Sequence, residues 1–232
     1  MFTDKDISTA LYILDGINIP EHFGTDDGWI DTQFIYSKIK DKESPELGKL
    51  HIDYGVTKLV IIFDNLPFVI KIPFNGQWYE QETDDGNYES AFGYYCCSGA
   101  SDETDYCEAE VAAIEAAKYF GFGDIFADEE CVANIDGFNI YLQVKVRSSH
   151  STDHYTPNND SLKKADNKDY YGVCDDMWRA CVIECYGEQY LKDFISWAQS
   201  EREEILCDLH GGNYGYNMDG RPVLFDVSGY YD

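Results

Sequence analysis

The chain has 232 residues, 44% hydrophobic and 16% aromatic, which suits one sizeable core or two smaller lobes and excludes a disordered chain. Against 17 Lys and Arg stand 44 Asp and Glu, and the net charge of -27 repels nucleic-acid phosphates and anionic membranes, so direct binding to either is not expected. The apolar runs KLVIIF and FVIKIPF are far too short to span a bilayer, and MFTDKDIST lacks the basic start and apolar block of a secretory signal, so the cytoplasm is the expected compartment.

In chain order, residues 1–48 read as a helical N-terminal segment, in which Ile30, Phe34 and Ile39 recur at roughly helical intervals before ESPELG breaks the pattern. LHIDYG, TKLVIIF and, after the turn DNLP, PFVIKIPF are adjacent strands rich in β-branched residues. From Gln77 to Tyr106 the chain is acidic, aromatic and Gly-containing, and reads as an inserted loop or hairpin too long for a plain connection. Asp105 opens a helix whose apolar stripe is Ala113, Ile114 and Ala117 and whose stop is Gly121. NIYLQVKV is a strand.

Residues 147–168 carry Asn, Asp, Ser and Pro signals with almost nothing to bury, and read as a flexible linker. DDMWRACVIECY and EQYLKDFISWAQSEREEIL read as helices, the second with Leu191, Phe194, Ile195 and Ala198 on one face. Cys181 and Cys185 stand one helical turn apart without a second pair or a nearby His, which favours buried reduced thiols over a zinc site. A Gly-bearing loop and the strand PVLFDV complete an α+β, two-lobed plan. Its β-rich lobe covers 49–146, with the acidic insertion 77–106, and its helical lobe covers 169–232.

Four features carry chemistry. Lys71 sits inside an apolar strand, where its ammonium must snorkel or meet an anion. Glu110 precedes the stripe residues Ala113, Ile114 and Ala117 by three, four and seven positions, which puts its carboxylate on the inward side of the helix. Asp208 and Asn213 stand on the Gly-bearing loop, and Asp226 follows a strand and precedes Val-Ser-Gly. Oxygen ligands of this kind suit a hard cation such as Mg²⁺ with a polyphosphate.

A strand Lys, a helix Glu, a D-x-x-x-x-N loop and DVSG, whose Asp and Gly stand one residue further apart than in a D-x-G, come in an order that resembles the protein-kinase-like superfamily. The resemblance spans roughly residues 49–229 and also extends to minimal kinase-like proteins of bacteriophages. It implies a two-lobed kinase-like fold that binds ATP with Mg²⁺. Lys71 would hold the α- and β-phosphates and Glu110, with Glu108 as the competing choice, would pair with it. In DLHGGN, Asp208 would be the catalytic base and Asn213 a metal ligand, with Asp226 of DVSG as the second metal ligand. DLH, with His210 on the nucleotide side, is closer to the small-molecule and atypical branches. Gln143, Val144 and Lys145 of QVKV would form the hinge beside the adenine.

This sequence departs from the family in three places. DYGVTK replaces the Gly-rich loop, leaving Gly55, Thr57 and Lys58 as the phosphate contacts. Leu206 and Cys207 precede Asp208 where the family commonly has His and Arg or Gly. After DVSG come Tyr230, Tyr231 and Asp232 alone, so a truncated helical lobe without a peptide platform is expected. Three functions follow: a minimal phosphotransferase, a nucleotide-binding pseudokinase or adaptor, and an acidic protein that imitates nucleic acid and meets a basic protein partner.

Overall fold

The structure, a computed structural model, describes residues 1–17, 32–54, 57–82, 86–96, 105–148, 156–170, 173, 176–202, 205, 206, 209 and 212–227. It divides into two units: Met1–Glu108 with Glu129–Val144, and Ala109–Asp128 with Lys145–Asp232. The architecture is mixed α+β, as expected.

The first unit begins with helix α1 (Asp4–Leu14). Thr3 caps it: its hydroxyl accepts from the Asp6 amide, while the Asp6 carboxylate accepts from the Thr3 amide at 2.9 Å. The Thr3 hydroxyl, which also donates to the Asp6 carboxylate at 2.6 Å, and then the Thr3 amide hold the Asp6 carboxyl below its ordinary range. A depressed carboxylate stabilises above its unfolded pKa, and that contribution fades as pH falls through the folded value. Thr3→Ala is therefore expected to lower stability by about 1 kcal/mol at neutral pH and by less in acid. Denaturant titration at the two pH values checks this, and an equal loss at both would place the effect outside the cap.

Helix α2 (Thr32–Lys40) buries Ile35 and Ile39, four residues apart; Phe34, expected on that face, is half-buried, and Ile30 lies outside the described residues. Strands β1 (Leu50–Tyr54), β2 (Lys58–Phe63), β3 (Phe68–Glu82), β5 (Glu129–Ile135) and β6 (Phe138–Val144) form an antiparallel sheet ordered β1-β2-β3-β6-β5. Strand β4 (Tyr88–Cys96) pairs along β3 from Phe74 opposite Cys96 to Glu82 opposite Tyr88, so the acidic insertion is a long hairpin.

Because strand side chains alternate, the sheet has two chemically different faces. Leu59, Ile61 and Phe63 of β2, Ile70 and Ile72 of β3, and Ile140 and Leu142 of β6 join Ala10, Ile13, Ile35 and Ile39 in one core. The alternate residues Lys71, Tyr141, Gln143 and Glu129 belong to the other face.

Strand β5 is absent from the sequence expectations, which have no strand over EECVANI. Its acidic start and its exposed or half-buried residues after Glu129 make it a weak strand by composition, and it lies at the sheet edge. The signal was Asp136-Gly137: both residues have left-handed φ, 53° and 96°, and they close the β5–β6 hairpin.

In the second unit, helix α3 (Tyr106–Tyr119), whose first turn belongs to the first unit, presents Ala113, Ile114 and Ala117 to a core as expected. Asp105 accepts from the Glu108 amide at 3.0 Å as its cap. Helices α4 (Asn159–Ala165), α5 (Asp176–Tyr186) and α6 (Glu188–Glu201) supply much of the remaining core, including Trp178, Leu191, Phe194 and Trp197.

Helix α4 lies within the segment read as a flexible linker. Asn158 accepts from the Asp160 and Ser161 amides, and buried Arg179 of α5 donates to the carbonyls of Ala165 and Val173. Tertiary contacts hold a seven-residue helix that its own sequence would not. Strands β7 (Arg147–Ser148), β8 (Tyr214–Tyr216) and β9 (Pro222–Leu224) make a small antiparallel sheet. A Cβ on Gly215 would stand 2.3 Å from the Arg147 carbonyl oxygen, so this pairing needs glycine there. Among the described residues no helix is long and apolar enough to cross a membrane.

Candidate functional site

Two groups of the predicted residues can be built from the chain upward, one in each unit. In the first, Lys71 lies on β3, with Val60 of β2 and Tyr141 of β6 as its direct cross-strand neighbours. Both flanking residues, Ile70 and Ile72, face the core, so alternation sends Lys71 to the polar face. It is 2% exposed, and its Nζ donates to Glu129 Oε2 at 2.7 Å. Gln143 Nε2 donates to the same oxygen at 2.7 Å. Two donors thus converge on one carboxylate oxygen in a buried setting.

Gln143 ends inside the sheet, not on an open connection; Val144 and Lys145 after it are half-buried. Lys58 is buried on β2 opposite Pro73, and Thr57 is half-buried at the start of that strand. Gly55 lies outside the described residues.

In the Lys71 row, Tyr141 donates to Asp105 Oδ2 at 2.7 Å, and Asn139 donates to the same oxygen at 3.0 Å. Burial, and then the Asp105 carboxylate, push the Tyr141 phenol far above its ordinary value, so it stays protonated and donating. The cap of α3 is thereby tied to the interior strand β6.

Glu110 is fully buried on α3 and Glu108 is exposed, which agrees with the inward placement of Glu110 by helical spacing. Glu110 belongs to the second unit and Lys71 to the first. The sequence reading missed Glu129 as a carboxylate for Lys71, because the strand that carries it was not recognised.

The second group sits on the β8–β9 hairpin. Asn217 Oδ1 accepts from the Asp219 and Arg221 amides, and Gly220 takes φ 77°, so NMDGR forms a tight loop that reverses the chain. At the open end, the Phe225 amide donates to the Asn213 carbonyl at 2.9 Å, and Asn213 Nδ2 donates to the Asp226 carbonyl at 2.9 Å. Residues 13 positions apart in sequence are thus neighbours. Asn213 is 6% exposed. Asp226 has φ 57°, a left-handed conformation that Asp tolerates better than most residues and that turns the backbone sharply after the strand.

The side-chain oxygens of Asn213 and Asp226 are of the type that hard divalent cations take. Asp208 and His210 lie outside the described residues. Cys181 is buried, with its Sγ 3.6 Å from the Tyr216 hydroxyl, Cys185 is exposed, and both are free thiols. No protein-family model, curated protein or solved structure matches this chain.

Proposed function

We propose that this chain is a minimal kinase-like phosphotransferase that binds ATP together with Mg²⁺. In this reading Asn213 and Asp226 hold the metal, Lys71 anchors the phosphates, Glu110 supports that Lys, and Asp208 orients or deprotonates the acceptor.

The juxtaposition of Asn213 and Asp226 carries the proposal. A phosphotransferase of this type needs an amide oxygen and a carboxylate on adjacent backbone, because Mg²⁺ demands near-octahedral oxygen geometry and tolerates little misplacement. The hairpin brings the two residues together, and the left-handed turn at Asp226 separates its direction from that of β9. A plain reverse turn uses Asn217 and Gly220 and needs neither residue. Further support comes from Lys71, a buried Lys on the third strand of an antiparallel sheet, since protein kinases carry their phosphate-anchoring Lys on that strand.

The test is thermal unfolding with and without Mg·ATP. Saturation at about 100 times Kd adds on the order of 2.7 kcal/mol, a rise of several degrees for a chain of this size. The rise should disappear with EDTA and shrink in Asp226→Ala. A melting curve unmoved by millimolar Mg·ATP overturns the proposal.

A further inference from the structure

We infer that Glu129, braced by Gln143, is the residue that positions Lys71 for the phosphates, an inference that rests on the nucleotide-binding reading above and gives Lys71 a second carboxylate beside the expected Glu110.

The register explains how Glu129 reaches its target. Val69, Gln143 and Glu129 form one cross-strand row over β3, β6 and β5, and Lys71, Tyr141 and Cys131 form the next row on the same face. Glu129 therefore reaches diagonally across β6 to the Lys71 ammonium. Gln143 stands on the strand between them and donates to the same oxygen that Lys71 contacts, both at 2.7 Å. All three residues are 2–3% exposed.

Stability does not account for such an arrangement. Removing two charges from water costs about as much as their attraction returns, and well-packed apolar replacements are often neutral or stabilising. What the arrangement does supply is position. A Lys ammonium is a compact charge on four rotatable bonds, and it stays in one place only when a fixed partner holds it. Glu129 is such a partner: it sits on a strand hydrogen-bonded to β6, and its carboxylate is itself held by Gln143. Groups held on sheet strands keep tighter geometry than groups on loops. Glu129 is a positioning residue, acting through Lys71.

The experiment uses the full chain and two readouts. One is Mg·ATP affinity by calorimetry. The other, independent of nucleotide, is acylation of Lys71 by an amine-directed reagent, followed by peptide mass spectrometry. Glu129→Gln is expected to weaken Mg·ATP by about 10- to 100-fold, the range in which supporting partners of a functional side chain act. It should also speed Lys71 acylation several-fold, which a merely structural role would not do. Glu130→Gln, the same change at an exposed neighbour on the strand, should alter neither readout.

Unchanged acylation in Glu129→Gln overturns the inference, and so does unchanged affinity when Lys71→Met abolishes binding. If the wild type binds no Mg·ATP, the functional reading fails by itself, and acylation alone then supports or overturns the hold of Glu129 on Lys71. Should Glu129→Gln fail to fold, Glu129→Asp keeps the charge but draws it back by one methylene. Faster acylation and weaker affinity in that variant support the inference, and wild-type values in both overturn it.

Discussion

Asp208→Asn should slow phosphoryl transfer by about 10²- to 10⁴-fold, the usual contribution of a positioned general base, while Mg·ATP affinity stays near the wild-type value. The expectation follows from DLHGGN, where Asp208 stands five residues before Asn213. Asn keeps the size of the side chain and removes its ability to take a proton, so the loss should appear in turnover and not in binding. Single-turnover release of labelled phosphate from ATP, with water and a broad set of acceptors, measures it. Equal turnover in the two proteins would remove Asp208 from the chemistry. A wild type that binds Mg·ATP but turns nothing over would make the chain a nucleotide-binding pseudoenzyme.

Phe194→Ala should destabilise the second unit by about 3–5 kcal/mol. Phe194 is fully buried on α6, and its ring has Phe122, Phe126, Trp178 and Trp197 as neighbours, with centroids 5.8, 6.1, 6.0 and 5.9 Å away. Most of these pairs are edge-to-face, a geometry that adds to simple burial, and the four aromatic neighbours cannot close around a missing ring without new clashes. Near-UV circular dichroism during denaturant unfolding reports on this cluster directly. Tyr119→Ala, at a residue 85% exposed, is the matching control and should stay within about 0.5 kcal/mol of wild type. A Phe194 loss no larger than the control's would mean that this cluster is not the core of its unit.

Several features were legible because local chemistry alone decides them. The stripe Ala113, Ile114 and Ala117 and the face Leu191, Phe194, Ile195 and Ala198 are buried, since a 3.6-residue period admits one way of hiding them. The same period put Glu110 inward and left Glu108 outside. Lys71 was recognisable as an ammonium that, among β-branched residues, had to snorkel or meet an anion, and it meets Glu129.

Other features depended on partners remote in sequence. Glu129 stands 58 positions beyond Lys71, and nothing local to EECVANI announces a buried acid; its burial comes from the β5–β6 register and the Gln143 amide. Helix α4 exists because Arg179 and Glu184 of α5 bond the ends of its segment. Asn213 and Asp226 became neighbours through the NMDGR reversal, although their side chains already carry oxygens of the type a hard cation takes. The sequence by itself determined the buried faces of the long helices and that Lys71 must snorkel or meet an anion, because solvation and backbone period act residue by residue. Only the tertiary structure decided which counterpart each one meets, because strand register joins residues that no local pattern connects.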